Sequence, residues 1–377
     1  MNSKICDLLG IEFPLVAFSH CKDVVAQVSK AGGMGVLGAV AMTPEMLEND
    51  LKWIDENVNG MPYGVDVLIP NKFEGKGEGL NPEDWANMIP QEYRDFRADV
   101  LNKYKLNGES LREQTTQKSG FGKNLGEDGA QKLLDIAFSH PIKLIANALG
   151  VPPKWMLEMG KKNNVPVAAL VGAKEHAIRQ VQAGVDLLVV SGTEGGGHVG
   201  NVSGLVLVPE IHKAIQPISD IPILAAGGIA TGHQMAGVMA MGASGVWCAS
   251  VFLPTSEAET SPTVKEKMIN ATSSQTVRSR SRTGKHSRQL RSGWTDAWES
   301  KDAPEPLPMP LQTMVGEPAL DIIDKAAENG HQGAKELATY WVGQGIGLVD
   351  ETISAGQTVQ KFKEEFLDAL DRMQSLI

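Results

Sequence analysis

Apolar residues in this chain fall in short unbroken blocks, not in strict alternation with polar ones. Eight blocks stand out: FPLVAF (13–18), GMGVLGA (33–39), YGVDVLI (63–69), IKLIANAL (142–149), VPVAALVG (165–172), VDLLVVSG (185–192), IPILAAGG (221–228) and GVWCASVFL (245–253). Rich in Val, Ile, Leu and Ala, they have the composition of parallel strands buried on both faces. Amphipathic stretches lie between them, such as 44–58, 152–163, 173–184 and 232–243. The first opens on Thr43-Pro44, an N-cap followed by proline at the first helical position. The third ends at Gly184, a natural helix stop. Eight strands alternating with helices predict an α/β fold of the (β/α)8 TIM-barrel kind. Strand count alone does not show closure, so a doubly wound open sheet stays as the alternative.

Two stretches break the rhythm. Residues 70–127 are polar, rich in Gly, Asn, Glu and Lys, and read as a long loop insertion after the third strand. Residues 257–345 hold Arg/Ser/Thr-rich and Pro-rich segments and then helical ones, and read as a small helical capping subdomain. The barrel proper is expected over 1–256 and 346–377. Loops at the C-terminal ends of barrel strands build the active site, so both departures should border it.

Composition narrows the class. The net charge of -10 argues against nucleic acid as the main partner. No apolar run approaches a membrane span, and the start MNSKICDLLGIEFP lacks a signal-peptide core, so a cytoplasmic protein is expected. Cys6, Cys21 and Cys248 are too few and too scattered for a disulfide framework or a cysteine zinc site, and no metal is expected.

Three strand ends carry candidate chemistry. In IPILAAGGIATG (221–232) a buried strand ends in Gly227-Gly228 and a helix begins near Thr231. Glycines there let backbone N–H groups approach an anion, although a plain strand–helix turn reads the same way. The eighth strand ends at Ala249-Ser250, and the loops after barrel strands seven and eight commonly build a phosphate site. The motifs GxGxxG and GxxxxGK[ST] are both absent. The sixth strand runs into GTEGGGHVG (192–200), a loop nearly free of side chains that ends in His198. A flat ligand can lie against such a backbone, and a histidine beside it can exchange protons near neutrality; a purely structural histidine is the other reading.

These motifs, in this order, resemble the nitronate monooxygenase (2-nitropropane dioxygenase-like) family of FMN-dependent barrels, whose relatives include enoyl-thioester reductases. VSKAGGMGVLGA (28–39), GTEGGGHVG (192–200), the block 225–257, RTGKHSRQLR (282–291) and WVGQGIGL (341–348) carry the likeness, which covers most of the chain outside 70–127. The resemblance implies that Gly227, Gly228, Ala249 and Ser250 hold the FMN phosphate and that Trp247 and Cys248 pass beneath the ribityl chain. It further implies that Lys174 approaches the flavin ring, that Ser191 and Gly196 line it, and that His198 is the catalytic base.

The chain departs from the family pattern at three places. AFSHC (17–21) replaces the usual Ala-Pro-Met, Ala249-Ser250 replaces Gly-Thr, and Asp66 replaces an Asn that grips the flavin. His20 becomes a candidate substrate-site residue, or else simply packs beneath the helix that follows. The basic run 278–291 is either a solvated face or a receiver for the phosphates of coenzyme A or NADPH. The expected activity is FMN-dependent oxidation of alkyl nitronates by O2 to a carbonyl compound and nitrite. The alternative is an NAD(P)H-dependent FMN reductase of an enoyl-CoA or quinone-like substrate, and a non-catalytic phosphate-ligand binder is a third class. The expected partners are O2 and a small-molecule substrate, with a homodimer left open.

Overall fold

A computed structural model describes residues 1–69, 82–111 and 127–377. The eight expected strands form. They are β1 (Leu15–Ser19), β2 (Met34–Gly38), β3 (Tyr63–Val67), β4 (Leu144–Asn147), β5 (Val167–Val171), β6 (Leu187–Ser191), β8 (Ile223–Ala226) and β9 (Gly245–Cys248). All neighbours pair parallel, and β1 pairs with β9 through Val16↔Trp247, which closes the barrel and rules out the open sheet.

Strand alternation divides the buried residues into two layers. Val16, Met34, Val36, Leu144, Ala146, Leu187, Val189, Leu224 and Trp247 fill the inside of the barrel. The helix Lys4–Leu9 stoppers this inner core with Ile5 and Leu9. Leu15, Ala17, Val246 and Cys248 point outward, where Met235, Phe362 and Phe366 of the surrounding helices cover them. The helix Ala355–Gln374 opens on a capping box at Ser354 and packs against the helix Gly232–Ala240, so the end of the chain returns to the barrel wall. No helix among the described residues is long and apolar enough to cross a membrane.

Both departures from the barrel rhythm contain more structure than their composition implies. Part of the 70–127 insertion lies outside the described residues. The rest is not loop: it forms helices Pro82–Asn87 and Gln91–Lys103. Tyr93, Val100 and Leu101 sit at helical spacing inside a polar sequence and join one core with Trp294, Trp298, Val315, Leu320 and Ile323. Buried Arg97 ties the two parts by donating to the carbonyls of Leu111, Met314 and Val315.

The 257–345 region is not wholly helical either. Besides its helices it carries β10 (Thr276–Ser279) and β11 (Ser287–Leu290), an antiparallel pair. A two-residue strand, β7 (Gly197–His198), joins their edge. These strands are polar, so hydrophobic patterning misses them. Their buried side chains, such as Ser287 and Gln289, hydrogen-bond to one another.

Candidate active site

The ends of β8 and β9 face the solvent side of the barrel as adjacent strands, because Ala226 pairs with Trp247. The chain leaves β8 through Gly227 and Gly228, at φ +94° and +71°. A side chain there meets both backbone strain and steric conflict. A Cβ on Gly227 would lie 2.9 Å from the Gly192 carbonyl, and one on Gly228 would lie 2.8 Å from the Glu194 Cβ. The backbone N–H groups of Gly228, Ile229 and Ser250 have no protein acceptor among the described residues. The Ser250 hydroxyl accepts the Gly343 N–H at 2.8 Å, which leaves its own proton free to donate. Unpaired N–H groups and a hydroxyl at neighbouring strand ends suit a phosphate. Gly227 and Gly228 also edge a cleft of about 410 Å³, but its far wall is apolar, with Leu205, Val208, Val238 and Met241, and suits no phosphate.

The glycine loop after β6 is fixed by backbone contact. Gly196 packs against Val342 and Gly343 so closely that a Cβ would come within 3.0 Å of both. Glu194 caps the helix Gly204–Ile215, since its carboxylate accepts the Gly204 N–H at 2.9 Å. Its carbonyl accepts the Gln344 N–H at 2.8 Å, so the return segment 341–348 lies across the loop. Ser191 ends β6 with its Oγ under the glycines: a Cβ on Gly195 would sit 2.9 Å from it.

His198 is held from the cap. It pairs across the small sheet with Ser287, and its Nε2 lies 2.8 Å from the Thr283 hydroxyl. Its Nδ1 has no partner among the described residues and is the nitrogen left for a ligand. Burial, and then the Lys285 charge, push the imidazole down to about 4, so it is neutral at pH 7.

The β1–β3 side of the mouth is made of side chains. Phe18 lies near-parallel to Trp247, with ring centroids 6.3 Å apart, and meets the His20 ring edge-on at 5.1 Å. His20 Nδ1 lies 3.0 Å from the Gly38 carbonyl, and burial lowers its basicity. His20 therefore belongs to the mouth, and Gly38 makes room for it: a Cβ there would come within 2.7 Å of both rings. Asp66, one residue before the end of β3, is 4% exposed with no partner for its carboxyl among the described residues. Burial raises it well above the ordinary carboxylate range.

Two expectations need correction. Cys248 does not look into the barrel: it alternates with Trp247 and packs outward in the helix layer, away from where the resemblance would put a ribityl chain. Lys174 does not turn toward the mouth. Its ammonium lies 3.7 Å from Glu210 and 3.9 Å from Glu175, on a side chain 41% exposed.

The basic run 278–291 is not a free anionic dock. Arg278 binds Asn201, Arg280 binds Glu305, Arg282 binds Glu317, Arg288 binds the Thr193 carbonyl, and Arg291 binds Asp296. Sequence reasoning missed Thr283 and Trp341 as neighbours of His198. Both lie in motifs that were recognised, but only the β7–β11 pairing brings them to the mouth.

The nitronate monooxygenase family model matches residues 2–365. A Mycobacterium tuberculosis protein with the provisional name monooxygenase is 49% identical over 379 residues, covering 100% of both chains. A probable nitronate monooxygenase of Staphylococcus saprophyticus is 24% identical, covering 99% of both. Among solved structures, a nitroalkane oxidase from Streptomyces ansochromogenes superposes with TM-score 0.78 at 22% identity, covering 98% of this chain and 99% of that one. FabK from Thermotoga maritima superposes with TM-score 0.72 at 23% identity over 100% of both. The last two share the fold.

Proposed function

The chain belongs to the nitronate monooxygenase family of flavin-dependent oxidoreductases, and from that premise we propose that it oxidises alkyl nitronates with O2 to a carbonyl compound and nitrite, using FMN. The observation that carries this reading is His198: a neutral imidazole with a free Nδ1, held by Thr283 beside a glycine loop and next to a phosphate cradle.

The donor set fits FMN. Gly228, Ile229 and Ser250 would hold the phosphate, Ser191 and Gly196 would line the ring, and Trp247 with Phe18 would floor it. Bound FMN supplies an electron acceptor that passes electrons on to O2. Burial shifts Asp66 toward its protonated form, which can donate a hydrogen bond as an Asn amide does at this place elsewhere in the family. A histidine near 4 is a weak base. It therefore suits a substrate that arrives already deprotonated, as a nitronate does, better than a neutral nitroalkane whose α-proton must be removed.

NAD(P)H as electron donor has less support, because each arginine that would meet its phosphates already holds a partner within the protein, and Arg282 keeps only Nη1 over. The test is the anaerobic visible spectrum of the flavin-loaded protein. The expected result is bleaching by a preformed alkyl nitronate, none within minutes with NADH or NADPH, and nitrite release when air is admitted. Rapid bleaching by NADPH with none by nitronate overturns the reading.

A further inference from the structure

Arg282 is as buried as Arg288, at 7% exposure, and differs from the other arginines of its run in gripping one carboxylate with two nitrogens. Its Nε and Nη2 donate to the two Glu317 oxygens at 2.6 and 3.1 Å. Its guanidinium carbon lies 3.9 Å from the Trp341 ring centroid and 5.5 Å from that of Tyr340. One edge of the guanidinium and one face are thus in use. Nη1 is buried and has no hydrogen-bond partner among the described residues. Folded proteins rarely leave a charged donor in this state, and such a group marks a place where a ligand completes the pairing.

Its surroundings tie it to the mouth. The next residue, Thr283, holds His198 at 2.8 Å. The Trp341 indole N–H donates to Ser287 Oγ at 3.3 Å, and Ser287 is the residue paired with His198. From the other side, the Arg282 charge reaches His20 and disfavours its protonation.

We propose that Arg282 is the substrate-recognition residue of this site, and that its Nη1 donates to an oxygen of a small planar monoanion. The shape follows from what is already occupied. With Glu317 on one edge and Trp341 on a face, the free donor is approached in the guanidinium plane by an sp2 oxyanion. A phosphate dianion, which calls for several converging donors, finds one here with Glu317 beside it. Two sources share this chemistry: the nitronate group itself, or a carboxylate elsewhere on the substrate. Naming the nitronate rests on the function proposed above; the anion site does not.

The test is calorimetric titration of the flavin-loaded protein at constant ionic strength with nitrate, acetate and, as neutral isostere, acetamide. Saturable binding of nitrate, or of acetate, at least tenfold tighter than acetamide is expected. Nitrate alone identifies the nitronate group as the anion, and acetate alone a substrate carboxylate. Arg282→Gln is expected to weaken the anion at least tenfold and to raise KM for a nitronate with kcat within twofold. If that variant does not fold, Arg282→Lys carries the test, because it keeps a cation against Glu317 while withdrawing Nη1. The inference falls if the wild-type protein prefers neither anion, or if the variant binds as tightly as wild type. Nitrite formation that is indifferent to Arg282 sinks this inference and spares the function; Arg282-dependent anion binding with no nitrite formation does the reverse.

Discussion

The two sides of the barrel mouth solve the same problem with different materials. At β8–β9 the chain offers backbone: Gly227, Gly228 and the N–H of Ser250, shaped by positive φ and by close approach of Gly192 and Glu194. At β1–β3 it offers side chains: Phe18, His20 and Asp66, with Trp247 crossing from β9. A backbone cradle binds whatever carries a phosphate and tolerates little change. A side-chain rim can be rewritten residue by residue, and all three positions at which this chain leaves the family pattern touch the mouth, two of them on this rim. On the function proposed above, cofactor retention would fall to one side and substrate choice to the other.

The cradle is where the comparison breaks most visibly. Gly228→Val puts a branched residue at φ +71° with its Cβ 2.8 Å from that of Glu194. Backbone strain of this kind costs ~1–3 kcal/mol before any steric conflict. The purified variant should carry at least tenfold less flavin per chain, read from absorbance after unfolding. Flavin content equal to wild type would mean the phosphate is held elsewhere.

Next in size is His198, which belongs to neither side and hangs from the cap. Removing a positioned base costs roughly 10²–10⁴-fold in rate where a proton must move. His198→Ala should lose about that much on a neutral nitroalkane and less than tenfold on its preformed nitronate. Equal losses on both substrates would make His198 a binding residue instead of a base.

The same residue fixes a pH dependence. Its folded value of about 4 lies below the ordinary histidine value of about 6.5. The unfolded chain therefore binds the proton first, and the stability contributed by the neutral buried ring is present above 6.5 and lost as pH falls toward 4. Nitroalkane kcat/KM should stay level from pH 8 down to about 5 and then drop. An inflection near 6.5 would mean the ring is solvated in the working enzyme.

Lys174 should matter little. With its ammonium between Glu175 and Glu210 on the outer face, Lys174→Ala is expected to change flavin dissociation less than threefold. A tenfold loss would show that the lysine swings to the ring when flavin binds.

Most of the barrel was legible because buried parallel strands write themselves as apolar blocks, and the tight turn at Gly227-Gly228 was legible because its positive φ favours glycine. Cys248 was misread for want of alternation: a block buried on both faces does not say which residue looks inward. The strand holding Ser287 and Gln289 was hidden because a polar core pairs through hydrogen bonds, which leave no hydrophobic period. Lys174 was misread because a motif fixes a position along the chain and leaves the direction of the side chain open. Arg282 was seen only as one charge in a run, since what distinguishes it is the donor left over after Glu317 and Trp341 are satisfied.

Asp66→Asn gives the smallest effect on binding and the sharpest view of the side-chain rim. Burial raises the folded affinity of this acid for its proton above that of the unfolded chain. The sign follows: the folded state gains stability from this proton at low pH, and that gain is lost as pH rises above the unfolded value near 4. An amide is neutral at every pH and has nearly the same shape. Asp66→Asn should therefore leave flavin affinity within twofold, while raising the melting temperature more at pH 8 than at pH 5. A variant that loses flavin at pH 8 would show that Asp66 works as an anion, held by a cation that the flavin complex brings to it. Equal stabilisation at both pH values would mean the carboxyl titrates alike in folded and unfolded chains, and water would then have to reach it in the folded state.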